Sequence, residues 1–364
     1  MSERPLRLGI VGVGDVAQRD YLPEIGRLEP EAVVVAVAGA REERVRDVAR
    51  ELGVESHVGY RSLVKSPDVE AIVNLTPPAL HEEVNAAAIA EGKPVHSEKP
   101  LALSAAAAES LAAAAVERGV MLTAAPSVMM FPQVQLVGDL LASGRIGAAV
   151  AASGAVFGGV PPWEGFISDP TPYFAEDVGP LVDLGVYPLH ALTGLLGPVR
   201  WVHAAGRRTR ESFEVLDGPA HGTRVPVASD DLSMLTMELH SGVLASVHVS
   251  FASASSEAPE LEVLGDAGTV GCSLLDPTAS VRLSEGEKRT ELEVPAERSA
   301  GPDHILGVRH FVRCVRGDER PVLTADHAAH VLHVIEAARR SRAEDQVVTV
   351  PDGRWSRAMN AGAT

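Results

Sequence analysis

The stretch LRLGIVGVGDVA, residues 6–17, decides how the chain folds. Residues 6–12 form the near-continuous apolar run expected of a strand covered on both faces. Gly12-Val13-Gly14-Asp15-Val16-Ala17 then spells G-x-G-x-x-A. In such a turn the first glycine lets the chain reverse tightly. The second lets the backbone approach a pyrophosphate, and the small last residue lets helix and strand pack closely. A helix that opens here turns free N–H groups and a positive dipole toward phosphate. A lone glycine motif says little. One placed after a clean strand and before a helix points to a bound dinucleotide, with these six residues as its cradle.

The same grammar continues to about residue 125. VVVAVAG (33–39), AIVNLT (71–76), PVHSEKP (94–100) and MLTAA (121–125) read as strands. Residues 15–28, 42–52, 79–91 and 104–118 read as helices, the last two stopped by Gly92 and Gly119. This alternation implies βαβ units, so residues 1–125 are predicted to form a Rossmann domain with a doubly wound parallel sheet. Beyond about residue 145, alternating segments at 224–227, 232–240, 243–250 and 261–264 are separated by turns such as Ser241-Gly242 and Asp266-Ala267-Gly268. They predict a predominantly antiparallel sheet. Helical patterns at 180–196, 304–317 and 325–342 are expected to cover one face of it. Residues 126–364 are therefore expected to be an α+β domain for substrate binding and oligomerisation, with an irregular loop at 159–172.

A length of 364 residues suits two domains, and 46% hydrophobic with 22% charged residues is ordinary globular usage. Collagen, coiled-coil and disordered classes are excluded. A net charge of −17 leaves no basic footprint for nucleic acid. Cys272 and Cys314 stand in no Cys/His cluster, so no metal is expected, and both read as buried free thiols of a reducing compartment. The chain enters a strand pattern at once, without a leader, and the apolar run 101–116 is Ala-rich, short and broken by Glu109. These features together predict a cytoplasmic chain with no membrane contact.

At the end of the second strand, Gly39-Ala40-Arg41 lacks the acid that would hold an NAD ribose hydroxyl. Arg41 suits a 2′-phosphate instead, which favours NADP over NAD. Ligands of a doubly wound sheet sit beyond the carboxyl ends of its strands. That places Thr76-Pro77-Pro78 and Glu98-Lys99-Pro100 near the nicotinamide, with His81 and Glu98 helping to line the region. Lys99 is one of four lysines against 28 arginines, so it is not routine surface charge. Asp183, Tyr187 and His190 stand at i, i+4 and i+7 of a helical stretch and are predicted to share one face. Trp163 and Tyr173 flank the irregular loop, where an aromatic ring can stack on a sugar. Asp230, Asp231, His203, His221, His240 and His248 show no ligand spacing.

Three segments carry a resemblance: GVGDVA, NLTPPALHEEVNAAAIAEGKPVHSEKPLAL and VGPLVDLGVYPLHAL. Through them nearly the whole chain resembles the Gfo/Idh/MocA family, which includes glucose–fructose oxidoreductase and inositol dehydrogenase. The resemblance implies a Rossmann domain followed by a mainly antiparallel α/β domain. It also implies NAD(P)-dependent oxidation of a sugar, cyclitol or related secondary alcohol, and dimers or tetramers formed through the second sheet. The family's motif lysine maps onto Lys99, and its D-x-G-x-H-x-x-D helix onto Asp183, Tyr187 and His190. Tyr187 replaces the usual histidine, as in the branch containing dihydrodiol dehydrogenases, where a tyrosine is the proposed acid/base. His190 stands where aspartate is common, and Met130 where an arginine often sits.

A tyrosine with its ordinary pKa of about 10 is too weak a base at neutral pH, and a neighbouring ammonium lowers that value. Tyr187 is therefore the expected acid/base. Lys99 would lower its pKa and stabilise charge on the substrate oxygen. Asp183 would orient Lys99 or bind a second hydroxyl, and His190 would bind substrate or relay a proton. An alternative gives the base role to His190. Two other functions stay open at this point: a glycosidase of the same fold using NAD transiently, and a nucleotide sensor without catalysis.

Overall fold

The computed structural model of the chain describes residues 4–161, 169–216, 218–253, 255–298 and 301–353. Its residues group into two units, Met1–Met130 with Asp303–Ala329, and Phe131–Pro302 with His330–Thr364.

In the first unit, β1 (Leu6–Val11), β2 (Ala32–Gly39), β3 (Glu55–Val58), β4 (Ala71–Asn74), β5 (Val95–Ser97) and β6 (Leu122–Ala124) form one parallel sheet. The strand order is β3-β2-β1-β4-β5-β6. It reverses between β1 and β4, the switch point at which such a sheet opens a crevice beyond its carboxyl ends. Helices α1 (Glu42–Leu52), α2 (Tyr60–Lys65), α3 (Pro78–Ala90) and α4 (Ala105–Arg118) are the crossovers. The helix predicted over 15–28 takes a different form. A π-helical turn, Ala17–Tyr21, is followed by a 3-10 segment, Leu22–Leu28. Pro23 has no N–H to continue an α-helical ladder, and the wide turn carries Tyr21 to full burial.

The second unit begins with α5 (Pro132–Ala142), β7 (Ala149–Phe157), α6 (Gly179–Asp183) and α7 (Val186–Leu196). Strands β8 (Val199–Arg207), β9 (Ser212–Glu214), β10 (Arg224–Pro226), β11 (Leu232–Leu239), β12 (Leu244–Ser250), β13 (Leu261–Gly265), β14 (Thr269–Cys272), β15 (Val281–Glu285) and β16 (Lys288–Leu292) follow. After α8 (Ile305–Arg316) and α9 (Ala325–Glu344), β17 (Val348–Thr349) completes a nine-stranded sheet of order β16-β15-β14-β13-β7-β12-β11-β8-β17. Its neighbours pair antiparallel except β7 with β12. α7 is buried along its whole length, and a Cβ on Gly154 of β7 would come 2.4 Å from Pro188. Along β11, Leu235, Met237 and Leu239 are buried while Met234 is exposed. Met234 lies in register with Ala205 and His248, and Glu238 with Trp201 and the exposed Leu244.

Residues 303–329 fall within the span predicted as the second domain, yet they group with the first unit. The reason is a stripe on α8: Ile305, Val308, Phe311 and Val312 are wholly buried in one cluster with Leu8, Ile10, Tyr21 and Val37. Each such side chain contributes roughly 1.5–3 kcal/mol by leaving water. Arg27 fixes the start of this segment with two hydrogen bonds to the Asp303 carboxylate, 2.7 and 3.0 Å long.

Candidate functional site

After β1 the chain reverses at Gly12, whose φ of +100° disfavours any side chain. A Cβ there would stand 2.4 Å from the Leu75 carbonyl oxygen. Gly14 differs: nothing lies within 4 Å of where its Cβ would be. The first glycine closes the turn and the second leaves bare, approachable backbone, which is the arrangement a pyrophosphate needs. Val13 and Ala17 are buried beneath it, and Val16 opens the helical turn. The Asp15 carboxylate is buried and accepts no hydrogen bond; the Arg44 guanidinium lies 3.9 Å away. Arg41 is exposed and occupies the N-cap position of α1, just beyond β2, so a 2′-phosphate would meet both its guanidinium and a helix N-terminus.

At the end of β4, Asn74 Oδ1 accepts from both the backbone N–H and the hydroxyl of Thr76, at 3.2 and 2.7 Å. Asn74 donates in turn to Asn85 Oδ1 at 2.8 Å, and Asn85 donates to Ser97 Oγ on β5 at 3.0 Å. This buried ladder fixes two neighbouring strand ends. Pro77 and Pro78 are exposed, Pro78 as the first residue of α3. Beyond β5, Lys99 is half-buried and joined to Pro100 by a cis peptide bond.

Two residues expected to line the cofactor region, His81 and Glu98, are buried and bonded within the protein. His81 is wholly buried, with Nδ1 2.6 Å from the Pro100 carbonyl oxygen and Nε2 2.7 Å from that of Thr76. Backbone carbonyls engage both ring nitrogens, so the ring ties the two strand-end loops together and presents no free nitrogen to a dinucleotide. Burial pushes its pKa down against the opposing pull of those carbonyls. Glu98 is also buried. One carboxylate oxygen accepts the Tyr21 hydroxyl at 2.6 Å, and the other accepts the Lys99 backbone N–H at 2.8 Å.

In the second unit the continuous helix predicted over 180–196 is two helices, α6 and α7. Pro188 has no N–H to give to the Leu184 carbonyl, which accepts instead from Tyr187 at 3.2 Å. Asp183 is thus the last residue of α6, half-buried, and does not share a helix with Tyr187 and His190. Those two stand three residues apart on α7, both buried. Burial pushes the His190 pKa down to about 4. Tyr173 is half-buried in a 3-10 turn, its ring edge-on to Phe251 at 6.5 Å. Trp163 lies outside the described residues. Sequence reading missed Tyr21, Asn74 and Asn85; the signal for the asparagines was a polar residue closing a buried strand and another four positions after His81.

Residues 6–125 match the family described as "Oxidoreductase family, NAD-binding Rossmann fold", and residues 134–271 match "GFO/IDH/MocA C-terminal domain". The dTDP-3,4-didehydro-2,6-dideoxy-alpha-D-glucose 3-reductase of Actinomadura kijaniata is 35% identical over 222 residues, 60% of this chain and 65% of that protein. The match therefore spans just under two thirds of that relative's length. The trans-1,2-dihydrobenzene-1,2-diol dehydrogenase of Mus musculus is 27% identical over 92% of this chain and 96% of its own. A solved structure of KijD10, a 3-ketoreductase from Actinomadura kijaniata in complex with TDP-benzene and NADP, aligns with a TM-score of 0.74 at 26% identity, covering 93% of this chain and 98% of that one. Two family descriptions that together take in most of the chain, on a fold with the parallel sheet and glycine turn they call for, place it: the chain belongs to the Gfo/Idh/MocA family of oxidoreductases.

Proposed function

We propose that the chain is an NAD(P)-dependent oxidoreductase acting on a secondary alcohol or ketone of a sugar, cyclitol or related compound, with NADP as the preferred dinucleotide. The observation that carries this reading is the half-buried Lys99 at the carboxyl end of β5, in the sheet whose β1 turn leaves Gly14 bare. The dinucleotide, when bound, supplies or accepts the hydride. The six turn residues hold its pyrophosphate, Arg41 its 2′-phosphate, and the Thr76–Pro78 loop packs beside its ribose. An NADP complex of the 26%-identical ketoreductase supports that preference.

Lys99 binds the substrate oxygen and stabilises the negative charge that develops there. Tyr187 gives or takes the hydroxyl proton. Asp183 binds a second hydroxyl of the substrate. His190 serves as a neutral substrate contact, because burial holds its pKa near 4, too low for a base at neutral pH. Tyr173 offers a ring to the sugar face, a role also assigned to Trp163. The exposed Met234 and Leu244, with Trp201 across Glu238 from Leu244, support assembly of a dimer or tetramer through this face of the sheet. Two buried free thiols, Cys272 and Cys314, support a cytoplasmic location. Among the described residues no helix is long and apolar enough to cross a membrane.

The test is Lys99→Ala assayed on a panel of sugars, cyclitols and glycosides. Turnover is expected to vanish while NADP affinity stays within a few-fold of wild type. Undiminished turnover in that variant would remove the reading, as would glycoside cleavage by the wild type without net change in reduced nicotinamide.

A further inference from the structure

Tyr21, Glu98 and Lys99 form a run of contacts that neither the glycine turn nor a surface lysine requires. The π-helical turn buries Tyr21, whose hydroxyl donates to Glu98 Oε1 at 2.6 Å. Glu98 Oε2 accepts the backbone N–H of Lys99 at 2.8 Å. Both oxygens of one carboxylate are thus occupied, one by a phenol from the turn after β1 and one by the residue that follows. His304 stacks on the Tyr21 ring, with centroids 5.6 Å apart at 23°. The charged or titratable groups that act on Glu98 are His304 ahead of α8, His96 on β5, His81 on α3, Tyr21 and Lys99. Burial alone would raise the Glu98 pKa, but His304, Lys99 and the two hydrogen bonds outweigh it, and the carboxylate stays ionised.

For stability alone, an apolar side chain would fill this site as well or better than a buried carboxylate. A carboxylate clasping the backbone of the reacting lysine, with a phenol fixing it from behind, has a use in the reaction. We propose that Tyr21 and Glu98 are positioning residues that hold Lys99 in place and in its ammonium form. This rests on the assignment of Lys99 as the amine that meets the substrate oxygen. Glu98 acts on Lys99 through its hydrogen bond and its charge, and Tyr21 acts on Lys99 only through Glu98.

Four lysines, Lys65, Lys93, Lys99 and Lys288, make a direct test practical. In protein labelled with 13C at the lysine ε-carbons, the Lys99 signal is the one lost in Lys99→Ala. In Glu98→Gln it should titrate about one pH unit lower than in wild type. In steady-state kinetics Glu98→Gln should lose kcat roughly 10–100-fold with the dinucleotide KM nearly unchanged. Tyr21→Phe, which keeps the stacked ring, should lose kcat by a smaller factor with the same KM pattern. The Tyr21→Phe/Glu98→Gln double variant should be no slower than Glu98→Gln, since both act through one carboxylate. An unmoved Lys99 titration in Glu98→Gln, or losses that multiply in the double variant, overturns the inference. If Glu98→Gln does not fold, full kcat in Tyr21→Phe overturns it. Full turnover in Lys99→Ala would instead defeat the underlying reading, whatever the Lys99 signal does in Glu98→Gln.

Discussion

His190 donates its Nδ1–H to the carbonyl of Val186, 2.8 Å away and one turn earlier in α7. One ring nitrogen is therefore committed to the helix's own backbone, and burial keeps the ring neutral down to about pH 4. Both features favour the proposed assignment of Tyr187 over His190 as the base. Tyr187→Phe should slow hydride transfer roughly 10²–10⁴-fold, the usual range for a lost general acid/base. His190→Gln should cost less than about tenfold. Single-turnover rates with reduced dinucleotide decide the matter, and the larger loss in the histidine variant would reverse the assignment.

The two glycines of the turn should fail differently. Gly12→Ala forces a Cβ to 2.4 Å from the Leu75 carbonyl oxygen at a φ of +100°. It should cost about 2 kcal/mol or more of stability, read from a urea midpoint. Gly14→Ala meets no atom within 4 Å and should fold as wild type. Its dinucleotide affinity should nonetheless fall about tenfold or more, because the added methyl stands where the phosphates approach.

Arg41→Ala tests the choice of cofactor. Loss of a guanidinium from a phosphate should weaken NADP binding by about 1.5–3 kcal/mol. NAD binding should change little. Calorimetric titration of both dinucleotides gives the ratio, and equal effects on the two would place Arg41 away from the 2′ position.

Acid should destabilise the fold through buried histidines. Burial pushes His96 and His190 from 6.5 to about 4 and, with the charge of neighbouring histidines, His330 to about 3. The folded chain refuses protons that the unfolded chain accepts. Their contribution is therefore complete above pH 6.5 and is lost as pH falls from there toward 4. The slope is up to about 1.4 kcal/mol per pH unit for each histidine. Urea midpoints measured across that window should fall steadily, and less steeply in His96→Gln.

Where local chemistry alone forms an element, the sequence showed it. GVGDVA announced itself because strand, turn and helix start are each legible within a few residues. β3 and α2 escaped notice: ESHV is a four-residue, largely exposed edge strand, and α2 spans six residues, too short for a period to show. Pro188 was in view, yet its effect depended on the Leu184 carbonyl turning to Tyr187. The motif identified Glu98 and His81 as polar residues near the site. The direction their side chains take was set by partners distant in sequence, Tyr21 at one and two backbone carbonyls at the other. Likewise the helical pattern over 304–317 was expected to cover the second sheet, but Ile305, Val308, Phe311 and Val312 pack with Leu8, Ile10, Tyr21 and Val37 of the first unit, partners that only the tertiary fold supplies.

The placement of α8 governs how this protein can be made and cut. A fragment ending at residue 130 would lack Ile305, Val308, Phe311 and Val312 and expose the apolar bed they cover. On the ribosome, the nucleotide-binding half must therefore wait, unfinished and vulnerable to aggregation, until almost all of the other half has been synthesised.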